Sequence, residues 1–263
     1  MSNDSIKKTI VVALGVCMVC SILVSTAAVT LNAIQTENKK LDKVKNILLV
    51  GDLYHEGMDI KQTYEEKIEP TIIDLSTGEM VPESRFDEVL NIENYDMKNL
   101  AAHPEYGKVI PAEKDLAGIK RMPKYMLIYL VKENEHTEKI ILPIYGKGLW
   151  STLYGFMALD KDLKTIRGLT FYEHGETPGL GGEVDNPTWK QSWKGKQAFD
   201  ENGQVKIQVI KGKVDKSRAD ARYKIDGLSG STLTTRGVDN LVKFWLGDSG
   251  YGIFLKKLQE ELI

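Results

Sequence analysis

The sequence predicts an α+β protein: a twisted antiparallel sheet with helices packed on it, preceded by one N-terminal transmembrane helix. Three observations carry that expectation. A long uncharged apolar stretch opens the chain, strand-patterned runs in the second half are joined by short polar turns, and an amphipathic helical pattern follows a loop rich in glycine and hydroxyls. Short polar connections favour antiparallel pairing, because parallel neighbours need long crossovers. Sheet and helices segregated along the chain give the α+β class.

The opening stretch, residues 9–36, reads "TIVVALGVCMVCSILVSTAAVTLNAIQT" and holds no charged residue. Its apolar heart, Ile10 to Leu31, would be about 33 Å long as a helix at ~1.5 Å per residue, against a hydrocarbon thickness of about 30 Å. A cleaved secretory signal is the competing reading. Its apolar region usually runs only about 7–15 residues, and "STAAVT" is a poor cleavage site, so an uncleaved anchor is expected. Lys7 and Lys8 precede the span, while Lys39, Lys40, Lys43 and Lys45 follow it. Counting flanking positives alone would leave the large domain in the cytoplasm, but long domains translocate largely regardless of charge. Charge leaves the orientation open. Cys17 and Cys20 both lie in the span, i and i+3 on one helical face, and are read as small packing residues; they say nothing about the compartment of the remaining chain.

Beyond the span, Leu41, Val44, Ile47 and Leu48 fall at helical spacing and Gly51 is a natural stop. Ile60, Tyr64 and Ile68 suggest a short helix ending before Pro70. "TIIDLSTGEMV" reads as strand, turn and strand around Ser76-Thr77-Gly78, and "NYDMKNLAAHPEYG" as helix then loop. Residues 37–120 are therefore expected to form a mixed cap or insertion, and 121–263 the main domain. Within the latter, "YMLIYLVK" is a buried strand, "NEHTE" a turn and "KIILPIYG" a second strand. "YGFMALD" and "TIRGLTFYEH" pair across Asp160-Lys161-Asp162, and "VKIQVIKG" is read as a fifth strand. After Thr232 comes a helix whose Val238, Leu241, Val242 and Trp245 share one face, with Asp239 and Lys243 as an i,i+4 pair. The amphipathic piece from Phe254 to Leu262 continues the pattern.

Formal net charge is −2 and the isoelectric point about 6.2, which argues against a nucleic-acid footprint. No phosphate-loop or dinucleotide glycine motif is present, since "GKGLW" and "GLGGEVD" have the wrong spacing. His55, His103, His136 and His174 are scattered, without paired metal-ligand spacing. "GLSGS" from Gly227 misses the nucleophile elbow because Ser231 stands at its last glycine.

Three glycine-bearing segments remain: Tyr145 to Phe156, Phe171 to Asp185, and Tyr223 to Gly247. In each, glycines interrupt a strand pattern where backbone turns tightly or approaches something closely. Trp150 and Leu180 sit among them, placed to lie against a planar ring; ordinary turns with Trp150 in the core are the bland alternative. The last segment crowds Ser229, Ser231, Thr232, Thr234 and Thr235 at a helix entrance. One capping hydroxyl would suffice. A small-residue loop feeding a helix N-terminus exposes several N–H groups and the positive end of a dipole, a geometry that holds phosphate.

Asp226-Gly227-Leu228-Ser229-Gly230-Ser231-Thr232 closely resembles the D-G-x-[ST]-G-A-T flavinylation motif. "GLSGSTLTTRGVDNLVKFWLG", "GKGLWSTLYGFMALD" and "EHGETPGLGGEV" are similar to the C subunits of the sodium-translocating NADH:quinone reductases, as are the single span and the chain length. The resemblance covers most of the chain. It departs at Ser231, where the motif has alanine, so that two adjacent hydroxyls compete.

What the resemblance implies is an electron carrier, inactive alone, in a complex that oxidises NADH, reduces ubiquinone and exports Na+. FMN is expected on Thr232 through a phosphodiester bond, set there by a periplasmic transferase that uses FAD. Ser229, Gly230 and Ser231 would shape the phosphate loop, and Asp226 would serve the transferase. Thr177, Gly179 and Leu180, with Glu176 nearby, would line the isoalloxazine, with Leu149 and Trp150 as its opposite wall. The chain would sit in the bacterial inner membrane, with residues 1–8 cytoplasmic, the large domain periplasmic and other subunits as partners. The flavin subunit of the Rnf ferredoxin:NAD complex is the nearest alternative. An anchored module that holds a phosphate ligand reversibly, without redox chemistry, is an alternative of another class.

Overall fold

The computed structural model describes residues 6–133 and 136–261. It divides into residues 1–43 and a compact unit from Val44 onward, the division falling inside the first helix. That helix, α1 (Ile6–Val50), contains an uncharged stretch long and apolar enough to cross a membrane. Its large apolar side chains from Ile10 to Ile34 are all exposed, a surface that water does not favour. Cys17 and Cys20 are exposed on it.

In the compact unit a five-stranded sheet runs in the order β1-β4-β5-β6-β7. Its strands are β1 (Ile68–Asp74), β4 (Tyr125–Glu133), β5 (His136–Lys147), β6 (Thr152–Asp160) and β7 (Ile166–Glu173). Every pairing is antiparallel. The chain reaches β1 through α2 (Ile60–Lys67), and before β4 adds α3 (Met97–Ala102) with a small hairpin, β2 (Gly107–Val109) and β3 (Arg121–Pro123). After β7 come α4 (Pro187–Gln191), a short parallel pair of β8 (Gln208–Val209) with β9 (Lys224–Ile225), then α5 (Thr232–Leu246) and α6 (Gly252–Glu261).

The apolar run of β4 follows from burial on both faces. Met126, Ile128 and Leu130 join the larger core with Leu142, Met157, Leu241 and Trp245. Leu127, Tyr129 and Val131 alternate to the other side, where Ile47, Leu48, Ile72 and Phe156 cover them. Alternate side chains of a strand leave opposite faces, so both sets must be apolar when both faces are covered.

Helix α5 behaves as its pattern predicts. Val238, Leu241, Val242 and Trp245 are buried, each worth about 1.5–3 kcal/mol for a large apolar side chain. Lys243 pairs with Asp239 at 2.8 Å. Two hydrogen bonds fasten this end of the chain to β5: Trp245 Nε1–H to the Tyr145 carbonyl at 2.7 Å, and Tyr251 O–H to the Pro143 carbonyl at 2.6 Å. Gly237 lets the helix close on the strand end, since a Cβ there would stand 2.4 Å from the Lys147 carbonyl oxygen. That contact sets the start of α5 beside the turn after β5.

Several expectations need correction. "VKIQVIKG" is not a strand of the main sheet. Gln208 and Val209 pair parallel to Lys224 and Ile225, Val205 makes a single antiparallel bridge to Phe199, and Val209 N–H donates to Asp239 of α5 at 2.8 Å, so a helix side chain takes up that backbone group. The fifth strand is β1, from the segment expected to be a cap or insertion on the main domain. Pro70 is tolerated there because β1 is an edge strand, where no ladder bond is required of it. Ile68 thus opens this strand rather than closing the preceding helix, and the second half of "TIIDLSTGEMV" is reduced to a bridge between Met80 and Ile73. The last helix is separate from α5, broken at Gly247 to Gly250. Of the "NEHTE" turn, Asn134 and Glu135 lie outside the described residues, and His136 already begins β5.

Candidate functional site

The turn joining β5 to β6, the loop following β7 and the loop entering α5 are the three glycine-bearing segments, and one carboxylate ties them together. Glu176 is 5 % exposed. Its Oε1 accepts from Trp150 N–H at 2.9 Å, Ser151 N–H at 3.1 Å and Ser151 Oγ–H at 3.3 Å. Its Oε2 accepts from Leu149 N–H at 3.2 Å and from Thr234 Oγ1–H at 2.6 Å. Burial pushes this carboxyl's pKa up, but the hydrogen bonds from Thr234, Trp150, Ser151 and Leu149 outweigh it and leave the group below its ordinary range.

The loop that carries Glu176 is itself held. Ser151 Oγ accepts from Gly175 N–H at 2.7 Å. His174 Nδ1 accepts from Glu176 N–H at 3.2 Å, so the ring proton sits on Nε2, which donates to Asp185 at 2.7 Å. Lys190 adds a second contact to Asp185 at 3.0 Å. Thr177 then turns the chain, its carbonyl accepting from Leu180 N–H and Gly182 N–H.

The α5 entrance is built by a different set of bonds. Asp226 is half-buried, and its Oδ1 accepts from Val214 N–H at 2.7 Å while its carbonyl accepts from Trp189 Nε1–H at 2.8 Å. Leu228 N–H donates to Thr235 Oγ1 at 3.0 Å. Gly230 takes φ +71, a left-handed turn open to glycine, and lies against Leu180. Ser231 is the N-cap residue, yet its side chain makes no capping bond to the helix. Instead Ser231 Oγ–H donates to Thr234 Oγ1 at 2.9 Å. Side-chain capping therefore does not occupy the first-turn N–H groups of α5, which point toward the exposed Thr232 end.

Around this entrance the surface is unusually apolar: Leu149 is 38 %, Trp150 66 %, Leu180 46 % and Leu233 53 % exposed. Trp150 is thus not the core residue of the bland alternative. Thr177, Gly179, Ser229, Gly230 and Thr232 are also exposed. A cleft of about 920 Å³, bordered by Trp189, Lys196, Lys216 and Asp226, adjoins Ser229. An exposed hydroxyl, uncapped amides at a helix start, and apolar side chains on neighbouring segments suit a ligand that joins a phosphate to a planar ring.

The structure thus gathers the residues expected from the sequence onto segments in mutual contact. Asp226 has a structural task, and Ser231 is 6 % exposed beside an exposed Thr232. Sequence reasoning missed the Thr234–Glu176 contact, the His174–Asp185 pair and the apolar Leu233. The crowding of hydroxyls at the helix entrance was the signal for Thr234; nothing local signalled the His174–Asp185 pair.

This chain is similar to known proteins over nearly its whole length. Residues 148–247 match the model of an FMN-binding domain. The chain is 44 % identical over 262 residues to the C subunit of the Na(+)-translocating NADH-quinone reductase of Pseudomonas aeruginosa, covering 98 % of each chain. It is 44 % identical over 259 residues to the corresponding protein of Vibrio parahaemolyticus, covering 98 % of this chain and 97 % of that one. The crystal structure of Shewanella oneidensis NqrC superposes with a TM-score of 0.75 at 34 % identity, over 85 % of this chain and 99 % of that chain. The crystal structure of the same reductase component from Parabacteroides distasonis gives 0.64 at 28 % identity, over 86 % and 96 %. The full-length matches take in the segment before the sheet as well as the site.

Proposed function

The chain belongs to the family of Na(+)-translocating NADH-quinone reductase C subunits, and we propose that it carries electrons in such a complex through FMN bound covalently to Thr232. As a member it is one component of a multi-subunit enzyme and no catalyst alone. In the proposed assembly the complex oxidises NADH, reduces ubiquinone and exports Na+. The anchor lies in the bacterial inner membrane and the compact unit faces the periplasm, where an FAD-using transferase attaches the flavin.

One observation carries this reading: the exposed Thr232 stands at a helix start whose amides the N-cap side chain leaves uncapped. The amides and the helix dipole would hold the phosphate, with Ser229 as a further donor. Leu149, Trp150 and Leu180 would flank the ring, with Thr177 and Gly179 in the same loop. Glu176 would act indirectly, fixing the 149–151 turn and the helix entrance relative to each other. The flavin supplies reversible electron uptake and release; the protein supplies its position and the surroundings that tune its potential.

In-gel fluorescence of denatured protein tests the attachment. Flavin emission that survives denaturation is expected from the wild type made with its transferase, and none from Thr232→Ala. Flavin that washes out of the wild type would overturn the covalent reading.

A further inference from the structure

We propose that Ser231 is barred from carrying the flavin by a buried relay, Ser231 to Thr234 to Glu176, and that this relay, not a difference in hydroxyl chemistry, directs attachment to residue 232. The inference rests on the attachment proposed above.

Two neighbouring hydroxyls are candidates for one phosphoryl group. In the attachment step an oxygen–phosphorus bond forms from a side-chain hydroxyl to the FMN phosphorus of FAD. The pyrophosphate bond breaks, adenylate departs with its electron pair, and the hydroxyl proton passes to a base of the transferring enzyme. No electrons are transferred to or from the flavin. The accepting oxygen must meet the phosphorus in line and give up its proton to the outside.

Thr232 meets both conditions, being exposed at the first position of α5. Ser231 meets neither. It is 6 % exposed, and the direction of its proton is fixed by its neighbours. An ionised carboxylate only accepts, so Thr234 must donate to Glu176, across 2.6 Å. The Thr234 oxygen then has only lone pairs to offer Ser231, which must donate inward across 2.9 Å. Thr234 is fully buried, so no water competes for this bond. The relay has a second consequence. A serine at the N-cap ordinarily turns its oxygen to an amide of the first turn; here that oxygen faces Thr234, and the amides stay available for the phosphate.

Substituting Thr232→Ser makes the two side chains chemically identical, and peptide mapping by tandem mass spectrometry locates the adduct. With the transferase co-expressed, all adduct is expected on residue 232 and none on Ser231. An adduct shared between them, or an adduct on Ser231 in Thr232→Ala, would overturn the proposal. Adding Thr234→Val to Thr232→Ser removes the acceptor while nearly keeping the volume. Part of the adduct should then move to Ser231; its persistence on 232 alone would overturn the relay as the cause. A wild-type chain without adduct would refute the attachment itself, an outcome distinct from all of these.

Discussion

Replacing Glu176 by alanine tests whether one carboxylate organises the site. The perturbation removes the acceptor shared by Leu149, Trp150, Ser151 and Thr234. Thr234 is fully buried and keeps Ser231 as a partner, but it loses its bond to a charged acceptor, worth about 1.5–3 kcal/mol. The amides of residues 149–151 lie at half-buried or exposed positions, where water replaces the carboxylate, so together they add only about 1 kcal/mol. The expected loss is about 3 kcal/mol, or roughly 6–12 °C in melting temperature for a unit of this size. Thermal unfolding of the full chain in detergent, followed by tryptophan emission, measures it. Acid provides an independent check. Because the folded-state pKa of Glu176 is lowered, its stabilisation is present above the unfolded value of about 4.3 and is lost as pH falls through the folded value. The gap between wild type and Glu176→Ala should therefore narrow below about pH 4. A variant that melts within about 0.5 kcal/mol of wild type at neutral pH would refute the organising role.

Other positions test the fold and the ring wall. Gly237→Ala should cost about 1–3 kcal/mol by urea unfolding, because its Cβ would meet the Lys147 carbonyl, outweighing the usual helix gain of about 1 kcal/mol. Trp245→Phe removes the buried bond to the Tyr145 carbonyl and should cost about 1–3 kcal/mol in the same assay. Trp150→Ala, at an exposed position, should change stability by no more than about 0.5 kcal/mol. The same variant should shift the absorption and emission of attached flavin, and an unchanged spectrum would remove Trp150 from the ring wall.

Local pattern carried much of this architecture. The continuous apolar runs of β4 to β7 and the one-sided face of α5 each reflect burial within a single element, which local pattern reports directly. Val205, Ile207 and Val209 alternate as a half-buried strand would, yet their segment pairs only briefly and leaves Val209 N–H to Asp239. Periodicity shows which side chains are buried, not which neighbour takes the backbone. Residues 68–74 erred the other way: a short run holding Pro70 resembles a hairpin arm until β4 is seen beside it. Glu176 was assigned to the ring-lining segment, but its partners lie 25 to 58 residues away, and no spacing rule links them. Position in the motif already favoured Thr232 over Ser231; what sequence did not show is that Ser231 is buried and Thr232 exposed.

Tandem mass spectrometry of the mature chain, taken from its native host, tests the central claim most directly. The peptide spanning the α5 entrance should carry one FMN, less water, on Thr232. The same peptide recovered without flavin would contradict the account.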